Sequence, residues 1–261
     1  MQKTDENHYI LKIGDNMNLK SDLIKINSIT KYPSILTYHM LGERGRLLDE
    51  VQIKFNSQVI ATEKIDGVNA RIILCPDGFY IIGSREELLY AKGDLIGNPQ
   101  LGIIDELKPV AETLVPSNDV IVYYFEVYGG NVTRNSKNYT SERKTSHRLF
   151  DVAKIPDFEN LFDLTLEQIH IWKSNGGQHF LSEEELETMQ FDLTPRLGTF
   201  DIPTGLKDTY DWLHRILPNG TNAGLDISGR AEGIVIRTSD RSHIAKIRFE
   251  DYERTVQGKP K

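Results

Sequence analysis

An α+β fold with largely antiparallel sheets is predicted for this chain by three features. Short strand-like runs divided by turn residues fill its first third, a helical middle follows, and two further strand-like runs lie near its end. Strand and helix never alternate strictly, as a parallel sheet would require.

The elements follow in order. In VQIKF, QVIATEKI, ARIILC and GFYIIGS, between residues 51 and 84, apolar residues alternate or run together, and Pro76-Asp77-Gly78 marks a turn. Residues 100–114 read as helical up to Pro109, where the missing N–H is expected to end the helix. VIVYYFEVYGG reads as a buried strand stopping at the Gly129-Gly130 turn, and RLFDVAKI as another strand. From 157 to 217 the pattern is helical. Ser182 and Glu185 make a capping box for SEEELETM, and Leu206, Tyr210, Leu213 and Leu217 share one helical face. RAEGIVIRT and HIAKIRF complete the set, with FEDYERTVQGKPK as a short tail. No repeat, low-complexity tract or linker divides the chain, so 1–261 is expected to be one domain without a separate C-terminal one.

Composition excludes several classes. A formal net charge of −7 argues against a protein that coats nucleic acid through bulk positive potential, while leaving room for a local basic cleft. Cys75 is the single cysteine, so an internal disulfide and a multi-cysteine zinc cluster are excluded, and its place in IILC reads as a packed thiol. The scattered histidines form no HExxH pattern. SEEELE reads as a solvated helix face, and the glycine pairs lack the context of a phosphate loop. No apolar run is long enough to cross a bilayer, and MQKTDENHYI has neither a basic start nor an apolar core, which makes an intracellular, cytoplasmic location the default expectation.

Polar residues interrupt several of the apolar strands: Lys64 and Asp66 in EKIDG, Glu126 in YYFEVYGG, Glu232 in AEGIVI, Lys246 and Arg248 in IAKIRF. Each is costly to bury alone. Any one could sit on a solvated strand face, since alternation turns every second side chain outward. Jointly they could offset one another, or surround an anionic ligand and its metal.

Their order and spacing resemble the covalent nucleotidyltransferase superfamily of polynucleotide ligases and capping enzymes. Lys64-Ile65-Asp66-Gly67 is similar to its nucleophile motif. Ser84-Arg85, Phe125-Glu126-Val127-Tyr128-Gly129, Arg148-Leu149-Phe150-Asp151, Ala231-Glu232-Gly233-Ile234-Val235-Ile236 and Ala245-Lys246-Ile247-Arg248 resemble the later motifs in sequence order. A lone KxDG is weak evidence; five further matches in order are strong. Asn69 after the motif, the Gly129-Gly130 ending and the upstream KYPSI are similar in form to RNA ligases of the phage T4 RNA ligase 2 type. The resemblance implies a nucleotidyltransferase (ATP-grasp-like) fold and an ATP-dependent RNA ligase. Such an enzyme uses Mg²⁺, with Mn²⁺ as a substitute, and acts on RNA 3′-hydroxyl and 5′-phosphate ends.

It also implies roles. Lys64 would be the nucleophile carrying AMP, and since a free lysine has a pKa near ~10.4, its amine must be made to lose a proton, for which Lys246, Arg248 and the metal are candidates. Glu63 would recognise adenine, Arg85 and Glu126 would fix the ribose or phosphate end, and Phe150 would stack on the purine. Ile65 and Asn69 complete the nucleotide-binding set, Glu232 would organise the metal, and Lys246 and Arg248 would hold phosphates. Two departures stand out: Arg248 occupies the place of a second lysine, and Asp66 that of a histidine. Phe150 could equally be core, and Arg85 could pair with Glu86 or Glu87 on the surface. The densest basic stretch, with Lys137, Arg143, Lys144, His147 and Arg148, is the candidate RNA surface, although it could also be an exposed loop of mixed charge. An accessory protein or RNA-binding partner is compatible with so small a grip. DNA nick sealing or another nucleotidyl transfer, and a non-catalytic nucleotide or RNA binder of the same fold, are the rival readings.

Overall fold

The structure is a computed structural model that describes residues 2–4, 8–10, 19–99 and 101–258. Parts of the N-terminal stretch MQKTDENHYI, the last residues of the expected tail and both ends of the expected 1–261 domain lie outside the described residues.

In chain order the elements are β1 (Gln2–Thr4), β2 (His8–Ile10), α1 (Leu19–Thr30), β3 (His39–Leu41), β4 (Leu47–Val51), β5 (Val59–Lys64) and β6 (Val68–Leu74). Then come β7 (Tyr80–Ser84), β8 (Leu88–Ala91), β9 (Asp94–Leu95), α2 (Ile103–Thr113), β10 (Val120–Gly129), β11 (Thr145–Ile155), α3 (Leu166–Ser174) and β12 (His179–Phe180). The chain continues through α4 (Glu183–Glu187), β13 (Arg196–Phe200), α5 (Leu206–Ile216), β14 (Gly233–Arg237), β15 (Ile244–Arg248) and α6 (Phe249–Val256). This is the α+β class with mostly antiparallel pairing that the sequence predicts. Among the described residues no helix is long and apolar enough to cross a membrane.

The described residues group into two compact units. The first holds residues up to Tyr32, 69–125 and 151–180. Its sheet runs in the order β12-β11-β10-β6-β7-β8-β9. Arg71 of β6 is completely buried in this unit. Its Nη1 donates to Ser84 O at 2.6 Å and its Nη2 to the side chain of Asn27 on α1. The last carbonyls of α1 have no intrahelical partner. Side chains from elsewhere in the unit supply donors: Lys173 to Ser28 O, Gln178 to Ile29 O and the Tyr124 hydroxyl to Thr30 O.

Among the described residues the second unit holds 33–68, 126–150 and 181–258. Its four-stranded sheet runs β13-β5-β14-β15, and Thr37 adds a parallel bridge to Lys246 beyond β15. One face of this sheet is apolar: Ala61, Ile234, Ile236, Ala245 and Ile247 are buried with Tyr210 and Leu213 of α5 and Tyr252 of α6. That leaves the opposite face to carry chemistry.

Several sequence expectations are corrected. VQIKF is no strand past Val51, since residues 52–55 join no sheet. The helix around Pro109 does not stop there but runs to Thr113, because Ile103, Leu107 and Ala111 keep one buried stripe through the proline. The capping box at Ser182 is present, yet the 157–217 region is not wholly helical, for β12 and β13 lie within it. The expected tail contains α6, whose Phe249 and Tyr252 enter the core.

Candidate active site

Strand register sorts the polar residues of the second unit. In β5 and β14, Lys64 pairs with Gly233 and Thr62 with Val235; in β14 and β15, Gly233 pairs with Arg248 and Val235 with Lys246. Antiparallel partners share a face, so Lys64, Lys246 and Arg248 lie together on the face opposite the apolar one. Two glycines make the approach possible. A Cβ on Gly233 would stand 2.1 Å from Ile247 O, and one on Gly67 2.3 Å from Val127 O.

Lys64 closes β5 and is about a quarter exposed. Its Nζ donates to Glu232 Oε2 at 2.6 Å. Glu232 sits just before β14, its backbone fixed by the Phe249 N–H. Glu126 of β10 accepts from the Gly67 N–H at 3.1 Å. Burial raises the Glu126 carboxyl to about 7, and the charges of Glu232 and Asp66 push the same way against the pull of Lys64. Glu232 is also raised, first by burial, with Lys64 opposing. Three carboxylates thus share the field of the Lys64 ammonium, and Arg248 adds its charge at Glu232; carboxylates crowded in this way suit a divalent cation. Among the described residues no group of three or more His, Cys, Asp and Glu is disposed as a metal cage. Glu126 and Glu232 instead fit the pattern in which one or two carboxylates hold a cation and a phosphate ligand completes its shell.

Arg248 is gripped by a residue that carries no motif. Its Nε and Nη2 donate to Asp251 Oδ2 and Oδ1 at 2.8 and 2.9 Å, a two-pronged pair that turns the guanidinium and leaves Nη1 out of it. Asp251 lies in the first turn of α6 and is buried. The planar fork of arginine spans both oxygens, as a lysine in its place could not.

The turn after Lys64 is held by the 130–140 loop. The Asp66 N–H donates to the Tyr139 hydroxyl at 2.6 Å, and Asn135 Nδ2 donates to Asp66 Oδ2 at 2.5 Å. Ile65 is buried in a small cluster with Tyr128, Tyr139 and Ala223, so its side chain packs there.

The remaining expected residues fall differently. The register turns Glu63 to the apolar face, away from Lys64; its carboxylate is 1% exposed and is met by the Thr221 hydroxyl and, at 2.7 Å, by the Asn222 N–H. Phe150 is half-buried on β11 in the second unit, as are His147 and Arg148, whose guanidinium stands 3.5 Å from Asp192. Asn69 and Arg85 belong to the first unit. Asn69 Oδ1 is buried without a hydrogen-bond partner, and exposed Arg85 stands 3.5 Å from Glu86. Asp251, Tyr139, Asn135, Thr221 and Asn222 escaped the sequence reading. Of these only Asp251 left a local sign, its spacing of three from Arg248.

Comparison with known proteins bears on the family and the fold. No curated protein matches the sequence. Among solved structures, a Naegleria gruberi RNA ligase with pyrophosphate superposes with a TM-score of 0.57 at 12% identity, over 88% of this chain and 59% of that one. An arginine-to-alanine variant of the Naegleria enzyme with ATP and Mn gives 0.53 at 13%, over 86% and 57%. An archaeal ATP-dependent RNA ligase gives 0.51 at 16%, over 85% and 49%. The chain therefore spans about half to three fifths of these proteins, and at such identities the likeness is one of fold. The RNA ligase profile matches residues 57–249, from just before β5 to the start of α6, a span that holds Lys64, Glu126, Glu232, Lys246 and Arg248. By that match the chain belongs to the RNA ligase family.

Proposed function

We propose that the chain is an ATP-dependent RNA ligase that joins an RNA 3′-hydroxyl to a 5′-phosphate through adenylylation of Lys64, with 1–261 acting as one adenylyltransferase domain. The observation that carries this reading is Lys64 at the exit of β5, on the face of Lys246 and Arg248 and ion-paired to Glu232. Support comes from the ATP named with the Naegleria and archaeal ligases.

In the first step Lys64 Nζ attacks the α-phosphorus of ATP. A P–N bond forms and the bond to pyrophosphate breaks. The amine must first leave Glu232 and shed a proton, which Lys246 and Arg248 favour by making a further positive charge beside them costly. Lys246 and the Asp251-oriented Arg248 bind the phosphate oxygens as charge shifts among them. Glu232 and Glu126 would hold Mg²⁺ or Mn²⁺, which when bound neutralises phosphate charge. In the second step an oxygen of the RNA 5′-phosphate attacks the adenylate phosphorus, the P–N bond breaks and the amine is regenerated. In the third the RNA 3′-hydroxyl attacks the phosphorus of the activated 5′-phosphate, a phosphodiester bond forms, the anhydride bond to AMP breaks and the hydroxyl proton passes to solvent. Phe150 is assigned to the purine, Arg85 to the ribose or phosphate end, and Asn69 to the nucleotide-binding set. Glu63 is assigned to the 221–222 loop in place of adenine.

The test is direct. Intact mass spectrometry after incubation with ATP and Mg²⁺ or Mn²⁺ should show one AMP per chain, absent with GTP or NAD and absent from Lys64→Ala. Sealing assays on RNA, DNA and hybrid nicks should favour RNA. A mass that never changes sinks the adenylation chemistry; joining of DNA alone leaves the chemistry and removes the RNA assignment.

A further inference from the structure

The second unit carries a cluster of exposed cations that the reaction above does not use. In a chain of net charge −7, residues 130–144 hold Arg134, Lys137, Arg143 and Lys144 against the single carboxylate of Glu142. All four cations are exposed, and none forms an ion pair with a carboxylate among the described residues. Asp226 is the acidic group beside them, and it is occupied by the Ser141 N–H and hydroxyl.

The backbone under these charges is fixed at many points. Ser136 Oγ donates to Gly129 O at 2.9 Å and accepts from the Thr133 N–H at 3.0 Å. Gly130 N–H reaches Lys144 O, Leu225 N–H reaches Tyr139 O and Gly229 N–H reaches Asn138 O, each within 2.8 Å. A loop that served only solubility would have no need of such anchoring. Like charges held on a fixed backbone repel one another, and that repulsion is relieved by a polyanion that meets them without further ordering of the chain. The same loop also touches the nucleophile's turn. Asn135 lies between Arg134 and Lys137 in sequence and holds the Asp66 carboxylate, while Tyr139 receives the Asp66 N–H.

We infer that residues 134–144 form the surface that receives the phosphate backbone of the RNA substrate, carried on the loop that fixes the turn after Lys64. The inference rests on the ligase reading and adds to it the place where RNA is held. Contacts of this kind position a strand without reading its bases, so affinity here is set by charge and by salt.

The experiment is a fluorescence-anisotropy titration of a labelled nicked RNA duplex over a series of KCl concentrations. It compares the wild-type chain with Lys137→Gln/Arg143→Gln and with a control of equal charge change, Lys54→Gln/Lys207→Gln, whose cations are exposed elsewhere in the same unit. Thermal unfolding verifies that each variant folds. The loop variant should bind about tenfold more weakly, with the slope of log affinity against log salt reduced by about 1 per cation removed, and the control should match wild type. Equal loss in both variants would mean that bulk charge is responsible, and unchanged binding in the loop variant would place the RNA elsewhere; either result overturns the inference. Intact mass of the wild-type chain with ATP separates these failures from that of the ligase reading, because a chain that takes up AMP but ignores the loop substitutions loses only the proposed surface.

Discussion

Two regions of this molecule take charged side chains out of water, and they do so in opposite ways. In the first unit Arg71 and Lys173 point at carbonyl oxygens: Ser84 O for the one, Ser28 O and Lys31 O for the other. Burial lowers Arg71 to about 10 and Lys173 to about 8, the second also through its cationic neighbours, and the oxygens that hold them are fixed parts of the backbone. In the second unit Lys64 faces carboxylates, which can exchange it for another cation, and burial raises the carboxyls of Glu126 and Glu232. The first arrangement is closed, with its donors turned to fixed oxygens apart from the Arg71 Nε. The second holds crowded carboxylates beside an amine that is about a quarter exposed. Burial of a polar group therefore does not by itself mark function; what marks it is a partner that can change.

The sharpest way to break this contrast is to remove one cation from each region. Lys64→Ala should reduce AMP uptake at least about a thousandfold while moving the urea midpoint little, because a partly exposed pair contributes about 1 kcal/mol or less. Arg71→Met should do the reverse in stability terms. It leaves Ser84 O and the Asn27 side chain without their donor inside the first unit, and about 3 kcal/mol of stability should be lost by urea titration. If both variants lost stability equally, the distinction between a closed and an exchangeable site would fail.

A smaller effect concerns Glu126. Its folded-state carboxyl lies near 7, above the unfolded value, so the native state binds more protons between the two. The stability this contributes is fully present below about 4.5 and is lost as pH rises through about 7, a change of about 2–3 kcal/mol. Glu126→Gln should flatten that part of the pH dependence, measured as urea midpoints from pH 5 to pH 8. Mg²⁺ or Mn²⁺ should oppose the loss at pH 8 in the wild-type chain and not in the variant. A wild-type profile already flat over that range would show that burial does not raise the Glu126 carboxyl.

How much of this was legible from sequence depends on how far apart the interacting residues are. The strands that carry Lys64, Glu126, Lys246 and Arg248 could be read because alternation is local, and the motif order tied them together. The same rule misled at VQIKF, where Gln52 makes a backbone bond to Tyr38 but residues 52–55 find no strand to pair with. β13 was missed because RLGTF is too polar to announce itself; it exists through pairing with β5 and shifts register at Gly198. Alternation also puts Glu63 and Lys64 on opposite faces of β5, a difference that the resemblance alone does not convey. Tyr139 and Asn135 stand 73 and 69 residues from Asp66, and no pattern in one sequence joins them.

The smallest expected effect is the most specific, because it tests whether Asp251 acts through Arg248. The carboxylate takes two parallel bonds from the guanidinium, and an amide can accept only one, so Asp251→Asn should weaken ATP binding by about 1–2 kcal/mol, or about tenfold in KM, with kcat moved less. Arg248→Lys should cost a similar amount in the wild-type background, since a point charge cannot bridge both oxygens. In the Asp251→Asn background the lysine should cost little more, giving a coupling of about 1 kcal/mol across the cycle. Asp251 also lies 3.5 Å from Arg254, so a loss of stability alone would be consistent with a second, structural use of the carboxylate. Additive losses in KM would show that Asp251 does not position Arg248, and the guanidinium would then meet phosphate by charge alone.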